Sequence, residues 1–344
     1  MKAVRLIAAA SCLGLAACEQ VVLQGPVGDA TIEISELRSG NVVGEGSSDG
    51  EAAVIARVGQ ATYDGYSDAQ KLTNYGLGAF PGPVVLTPAT LYLLTVSGGN
   101  EYDIDGDKVV DGPTPVQADI HAILTGAAFT GKQYAISALT ETAYQVVTDH
   151  VDFMTDAEVQ ATLDEVARAL VNDTDSSGSV TYADLVRVNY IYADPVTQVT
   201  ASKQADLVDV AVAVSSDGDV QDTALKMFAD DDDTALAETI YEASVGPILE
   251  TRGCASSACH APGGAGDLLS NNRILPSTNP SYVSANTGNF KDLVECTGIF
   301  DGDCGLQYIL NKVSGAIQHT GAAQVRIAED SDEGEAFETW LRLL

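Results

Sequence analysis

Basic residues are scarce in this chain of 344 residues, which holds 17 lysines and arginines against 49 aspartates and glutamates. The formal net charge at pH 7 is −32. Most of the excess lies in residues 18–234, with 9 basic and 35 acidic groups, while residues 235–344 hold 6 and 14. Such a surface repels other polyanions, so we expect no binding of nucleic acid and little attraction to anionic lipid headgroups.

The apolar run at the start of the chain is short. Residues 6–17 follow Lys2 and Arg5 and are too few to span a bilayer as a mature helix. We therefore predict a signal peptide over residues 1–17 and export of the remainder.

The run ends in Leu15-Ala16-Ala17-Cys18, which resembles the lipobox of bacterial lipoproteins. The resemblance implies lipidation at Cys18, so that the protein contacts the membrane through its N-terminal lipid. Glu19 follows, not the aspartate associated with inner-membrane retention. We expect an outer-membrane lipoprotein on the periplasmic or the cell-surface face. The alternative is an ordinary signal peptide cut nearby.

Cysteine is also rare, with six residues in all, and the most informative pair carries a histidine directly behind it. Cys254 and Cys259, followed by His260, have the form of a site for covalent c-type haem. The two thiols bond to the haem and the adjacent imidazole binds the iron as an axial ligand. Four residues separate the cysteines where two are usual, so a small disulfide loop is the alternative.

The surroundings of the motif favour haem. A short helix is expected over residues 240–250, with Ser244 as its N-cap, and a terminal helix over residues 331–344 with Phe337 and Trp340 on one face. Residues 241–344 resemble the planctomycete-type cytochrome c-like domains of bacteria. The matching features are Gly-Pro-Ile-Leu before Arg-Gly-Cys, Cys-His-Ala-Pro-Gly-Gly after it, and Leu-Gln-Tyr-Ile-Leu-Asn-Lys followed by His319. The resemblance implies one haem c and one-electron transfer.

The second axial ligand has few candidates. The only methionines after the leader are Met154 and Met227, and both lie outside the predicted haem domain. His319 lies in a glycine-bearing loop where class I cytochromes present their distal ligand, so we expect it to bind the iron. Alternatively, His319 is a surface residue and the iron is five-coordinate or ligated from elsewhere. His121 and His150 are expected at the surface or at helix ends.

Cys296 and Cys304 are left after the haem motif is assigned, and neither precedes a histidine. An exported protein can oxidise such a pair, so we predict that they form a disulfide.

The first part of the mature chain has the alternation of β-strands, clearest in residues 31–37. It resembles the carboxypeptidase-regulatory-like β-sandwich domains of bacterial surface proteins in Gly-Pro-Val-Gly-Asp-Ala-Thr-Ile and a later Ser-Gly-Gly. Near its end, acidic residues alternate around a glycine turn and suggest a calcium site, or else a plain Asp-Gly turn. These residues are Asp103, Asp105, Asp107 and Asp111.

A helical period replaces the strands from residue 137 onward. Val159, Leu163, Val166 and Leu170 share one face of a helix that Thr155 and Glu158 begin as a capping box. This helix leads into a loop with the spacing of an EF-hand, which predicts calcium. The ligands would be Asp173, Asp175, Ser177, the carbonyl of Ser179, and Asp184 in the place of the usual glutamate. The alternative is a plain helix–turn–helix.

The sequence thus predicts a multidomain protein. After the signal peptide come a β-sandwich-like domain (18–115), a helical calcium-binding region (116–229), an acidic linker (230–234) and an all-α class I cytochrome c-like domain with one haem (235–344). The expected function is electron carriage between redox partner proteins at the cell envelope, not catalysis. The competing interpretation is a calcium-stabilised surface adhesion or scaffold protein with a Cys254–Cys259 disulfide.

Overall fold

A computed structural model describes residues 22–24, 30–48, 59–67, 70, 77–80, 84–101, 109, 113–127, 133–174, 176–188, 199–216, 218–229, 234–256, 260–262, 273–297, 304–316 and 326–344. Within them the chain is mixed, with strands in the first part and helices in the rest. No helix in these ranges is long and apolar enough to pass through a membrane.

The strands form one seven-stranded sheet and one two-stranded sheet in the described residues, and the larger has the order β8-β5-β2-β3-β4-β1-β9. Neighbours in it are antiparallel except for β1 and β9. The strands are Val22–Gln24 (β1), Thr31–Glu36 (β2), Val42–Ser48 (β3), Leu77–Ala79 (β4), Leu91–Ser97 (β5), Asn100–Glu101 (β6), Thr114–Pro115 (β7), Ile120–Thr125 (β8) and Gln133–Ala135 (β9). The alternation in β2 buries Ile32 and Ile34 on one face, as a half-buried strand requires.

The helical part begins directly after the sheet. Its α-helices, numbered after α1 (Gln60–Tyr63), are Ala138–Val147 (α2), Asp156–Leu170 (α3), Tyr182–Leu185 (α4), Gln204–Ser216 (α5), Val220–Ala229 (α6), Ala235–Ile240 (α7), Gly246–Thr251 (α8), Tyr282–Glu295 (α9), Leu306–Ser314 (α10) and Asp332–Leu341 (α11). Thr148–Phe153 and Ala201–Lys203 are 3-10 turns. Tyr241–Val245 is a π-helical turn that joins α7 to α8.

The periodic pattern of α3 is confirmed by its packing. Val159, Leu163, Val166 and Leu170 are completely buried. The predicted capping box also forms, because the Glu158 amide donates to the Thr155 hydroxyl and the Thr155 amide donates to the Glu158 carboxylate at 2.6 Å. These two amides have no partner within the helix itself, so the box satisfies both.

An arginine from the sheet holds the 3-10 turn that follows α2. Arg38, in the turn after β2, donates to the carbonyls of Val151 at 2.9 Å and Met154 at 2.6 Å, and its Nε donates to Asp156 at 2.7 Å. Sheet and helices are thereby joined by charge-assisted hydrogen bonds in addition to apolar packing.

The predicted start of the helix before the haem motif is wrong. Ser244 is not an N-cap, because the chain is already helical from Ala235 and Ser244 lies in the π-helical turn, completely buried. Pro247 has no amide hydrogen and would press on the carbonyl of Ala243 in a regular α-helix. The wider turn, in which Gly246 donates to the carbonyl of Tyr241, lets the helix continue past this proline.

Contacts cross residues 230–234 from the helical region to the C-terminal region. Asp149 accepts hydrogen bonds from Gln221 of α6 at 2.8 Å and from Thr339 of α11. Arg342 pairs with Asp222 of α6 at 3.3 Å. A single hydrophobic core extends through both regions, and α7 packs against α3.

Candidate functional site

The residues around Cys254 form a tight turn at the end of α8. Cys254 is buried, and its amide donates to the carbonyl of Leu249 at 2.9 Å. Gly253, just before it, has φ of 76°, in the left-handed region that favours glycine and commonly ends a helix. The chain therefore turns sharply where α8 ends.

The same turn brings His260 beside Cys254. The amide of His260 donates to the carbonyl of Cys254 at 3.1 Å, so the backbone at the two ends of the motif is in direct contact. Covalent haem needs thiols and an axial imidazole on one turn, and these two residues fit that requirement. Cys259, the second thiol, and His319, the predicted distal ligand, lie outside the described residues.

Aromatic rings pack between the helix that enters this turn and the C-terminal helix. The Trp340 ring centroid lies 5.2 Å from those of both Tyr241 and Phe290 and 5.9 Å from that of Phe337. The Trp340 indole donates to the carbonyl of Ala237 at 2.8 Å, which satisfies its only polar atom. The helix that enters the motif and the C-terminal helix are thus fixed to each other through aromatic contacts.

An ion pair holds the turn from outside the core. The Arg252 guanidinium donates to the Glu333 carboxylate at 2.6 Å, near the start of α11. Both side chains are partly exposed, so the net contribution to stability is on the order of 1 kcal/mol or less.

Polar groups that the sequence analysis missed lie on α9, next to the aromatic cluster. Asn286 and Thr287 are completely buried. The Thr287 hydroxyl has no hydrogen-bond partner among the described residues, whereas Asn286 has three hydrogen bonds. A signal was present in the sequence: Asn286 occupies the same helix face as Phe290 and Leu293, where an apolar residue is expected.

Tyr241 connects this polar group to the motif. Its hydroxyl accepts a hydrogen bond from the Asn286 amide at 2.7 Å. Burial is the main reason that the pKa of Tyr241 lies above its usual range, and the hydrogen bond from Asn286 offsets part of that rise. The hydroxyl is therefore neutral at physiological pH.

The predicted surface position of His150 requires correction. His150 is not at the surface but completely buried, in the 3-10 turn after α2. Its Nδ1 lies 3.1 Å from the Ser244 hydroxyl, and its Nε2 has no partner in the described part of the chain. Burial lowers the pKa of His150 to about 3. His121 is partly buried, with Nδ1 2.9 Å from the carboxylate of Glu141.

The EF-hand-like loop has part of the expected geometry. Gly178, at the sixth position, has φ of 89°, which makes the sharp turn that the motif needs. The Asp173 carboxylate accepts from the amides of Ser177 at 3.2 Å and Gly178 at 2.8 Å, and so points into the loop. The carbonyl of Ser179 accepts from the Ser177 hydroxyl at 2.9 Å. Asp175 lies outside the described residues.

Asp184, at the twelfth position, is engaged elsewhere. One carboxylate oxygen accepts from the amide and hydroxyl of Thr174 at 3.2 and 2.8 Å, and the other from the amide and hydroxyl of Thr181 at 2.9 and 3.1 Å. Burial by itself raises the pKa of this carboxyl, but these hydrogen bonds outweigh burial and lower it. The described part of the chain contains no group of three or more histidines, cysteines, aspartates or glutamates arranged to hold a metal.

Of the remaining predicted sites, the disulfide lies within the described residues and the others do not. Cys296 and Cys304 form a disulfide with Cα atoms 5.4 Å apart, as predicted. The acidic residues Asp103, Asp105, Asp107 and Asp111, and the predicted lipidation site Cys18, lie outside the described residues.

Comparison of the chain with models of protein families, with curated proteins and with solved structures finds no match.

Proposed function

We propose that the chain is an envelope lipoprotein that carries one haem c on Cys254 and Cys259 and transfers single electrons between redox partner proteins. The observation that supports the proposal is the backbone hydrogen bond of 3.1 Å from the His260 amide to the Cys254 carbonyl, which joins the residues that carry an imidazole and a buried thiol in one turn. A haem bound there supplies an iron that cycles between two oxidation states.

Each part of the turn has a role in this proposal. Cys254 and Cys259 hold the group covalently, and the His260 imidazole is its axial ligand. The aromatic cluster of Tyr241, Phe290 and Trp340 keeps water away from the apolar side of the site. Exclusion of water favours the less charged redox state and limits the solvent rearrangement that accompanies electron transfer.

The other features predicted from the sequence belong to the same proposal. The C-terminal region is proposed as an all-α class I cytochrome c-like domain and the strand region as a β-sandwich-like module. The loop at 173–184 and the acidic loop at 103–111 are proposed to bind calcium. Residues 1–17 are proposed as a signal peptide and Cys18 as the anchor.

The test is a visible spectrum of the protein expressed with the machinery that attaches haem c. We expect a reduced α-band, and haem that stays with the polypeptide after denaturation because thioether bonds hold it. Replacing Cys254 and Cys259 together by serine should abolish the retained colour. Replacing Cys296 and Cys304 by serine is the matched control and should leave it. Colourless parent protein would overturn the proposal and favour the non-redox surface scaffold with a Cys254–Cys259 disulfide.

The distal ligand is proposed to be His319, because no methionine lies in residues 235–344. Two imidazoles stabilise ferric iron more than an imidazole and a thioether do, so the reduction potential should be low. His319→Ala should turn the iron high-spin and speed the binding of carbon monoxide, whereas His121→Ala should leave both unchanged. A low-spin spectrum in His319→Ala would show that another residue is the ligand.

A further inference from the structure

Asn286 is the centre of a buried hydrogen-bond group beside the proposed haem site. Its Oδ1 accepts from the amide of Leu275 at 2.7 Å, and its Nδ2 donates to the carbonyl of the same residue at 2.9 Å. The side chain thereby pairs with both backbone groups of one residue, as a neighbouring strand does. The second hydrogen of Nδ2 donates to the Tyr241 hydroxyl at 2.7 Å.

The backbone that Asn286 holds is the one that contacts His260. Ile274 immediately precedes Leu275, and its amide donates to the carbonyl of His260 at 3.0 Å. Asn289, one turn later on α9, donates to the carbonyl of Arg273 at 2.9 Å. Residues 273–275 are therefore fixed to α9 on one side and to His260 on the other.

Tyr241 extends the same chain of contacts to the other end of the motif. It belongs to the π-helical turn before α8, and its ring packs against Trp340 at 5.2 Å. The amide of His260 in turn donates a hydrogen bond to the carbonyl of Cys254 at 3.1 Å. Asn286 is thus connected to the motif from both directions, through Leu275 and Ile274 to His260 and through Tyr241 to the helix that precedes Cys254.

We infer that Asn286 is a positioning residue for His260, which fixes the backbone that carries the axial imidazole through Leu275 and Ile274. The inference deepens the proposed function and rests on it for the role of His260 as an iron ligand. A completely buried amide is costly unless all its hydrogen bonds are made, and an apolar residue would fill the space at lower cost. The amide is favoured here because it alone can bond both groups of Leu275 and the Tyr241 hydroxyl.

The test compares Asn286→Leu with Phe290→Leu in the full-length protein. The first change keeps a similar volume and removes the three hydrogen bonds. The second lies one turn away on α9, where it packs against Trp340, and it leaves the hydrogen bonds of residues 273–275 in place. Hydrogen exchange of the Ile274 and Leu275 amides is measured with and without haem attachment, and the ferric electron paramagnetic resonance spectrum is recorded for the loaded protein.

Asn286→Leu should speed exchange at Ile274 and Leu275 by about tenfold or more relative to Phe290→Leu, since the Leu275 amide loses its partner. It should also shift or broaden the ferric low-spin signal, because the imidazole is no longer fixed in one orientation. Phe290→Leu should lower the melting temperature while leaving that signal in place. Tyr241→Phe, which spares the two bonds to Leu275, should fall between them.

Equal exchange in Asn286→Leu and Phe290→Leu would overturn the inference, as would an unchanged ferric signal in Asn286→Leu. Failure of the proposed function is a different result: the parent protein then carries no haem. In that event His260 is not an iron ligand, and the inference that Asn286 positions one is overturned. This holds even if the exchange data show that Asn286 fixes the backbone of residues 273–275.

Discussion

His150 is the clearest case of a single side chain that the sequence could not place. Its spacing along the chain gives no hint of burial, because the residue follows the end of α2 and belongs to a short 3-10 turn. Burial comes from contacts distant in sequence, above all with Ser244, 94 residues away. The imidazole is kept neutral, since a protonated ring would need solvation that the core does not provide.

The neutral state of His150 makes stability depend on pH. Its pKa falls from the usual 6.5 to about 3 on folding, so the unfolded chain binds a proton that the folded chain does not. This contribution to stability is fully present well above pH 6.5 and is lost as pH falls toward 3, by about 2 kcal/mol between pH 8 and pH 5.

Thermal melts at pH 8 and pH 5 measure this effect. The parent protein should lose more stability between these two values than His150→Phe, which cannot bind a proton. His121→Phe serves as the control, since its ring lies partly exposed at the sheet. An equal loss in the parent and in His150→Phe would assign the pH dependence to other groups.

At the scale of elements, the sequence predicted what local rules decide. The apolar face and capping box of α3 follow from spacing and side-chain chemistry within a few residues, and both are confirmed. The start of the helix before Cys254 does not follow from them. A serine before a proline has the pattern of a helix N-terminus, yet packing against α3 and α11 extends the helix by several residues and Pro247 is accommodated in a π-helical turn.

Polar residues within helices were equally hard to interpret from the sequence. Asn286 lies in the interior of α9, where asparagine is a poor helix former, and local rules assign it no task. Its task is set by Leu275 and Tyr241, which are 11 and 45 residues away. The sequence therefore singled out Cys254, Cys259 and His260 as candidates, but not Asn286 and Tyr241, which the structure places near Cys254 and His260.

The loop after α3 tests the calcium proposal. If calcium binds at Asp173 and Ser177, removing it with a chelator should lower the melting temperature, and Asp173→Ala should abolish the difference. Affinity should be weak, because Asp184 must exchange hydrogen bonds to Thr174 and Thr181 for the cation.

The control for the loop is Asp164→Ala, which removes a carboxylate on α3 that accepts from the Tyr182 amide at 2.8 Å. It should lower stability while keeping the response to chelator. Identical melting curves of the parent with and without chelator would contradict the calcium proposal. The haem spectrum should not respond to chelation, since the loop lies away from Cys254 in the chain.

For the molecule as a whole, the proposed anchor predicts where the protein is found. Cys18→Ala removes the thiol that would carry the lipid, and it should release the protein from membranes into the soluble envelope fraction or the medium. Cell fractionation and immunodetection measure the change. Cys12→Ala, within the proposed leader, is the control and should remain in the membrane fraction. Membrane association that persists in Cys18→Ala would point to a partner protein or an uncleaved leader.

The contacts across residues 230–234 predict cooperative unfolding. Because Asp149, Asp222 and Arg342 join α6 and the 3-10 turn to α11, loss of one region should expose the core of the other. Melting followed by helix signal and by tryptophan fluorescence should coincide, since Trp340 reports the C-terminal region. Two separate transitions would mean that the regions unfold independently. Asp149→Ala should lower the common transition.

The contacts of Asp149 also bear on the order in which segments of the C-terminal region fold. Its carboxylate accepts hydrogen bonds from Gln221 and from Thr339, 72 and 190 residues away. The last helix, α11, therefore docks onto a surface made by segments translated much earlier. If the chain is exported N-terminus first, as the proposed leader implies, the Cys254 turn emerges before α11 does. Docking of α11 onto Asp149 is then a late step of folding, and a variant with a weakened α11 would delay it.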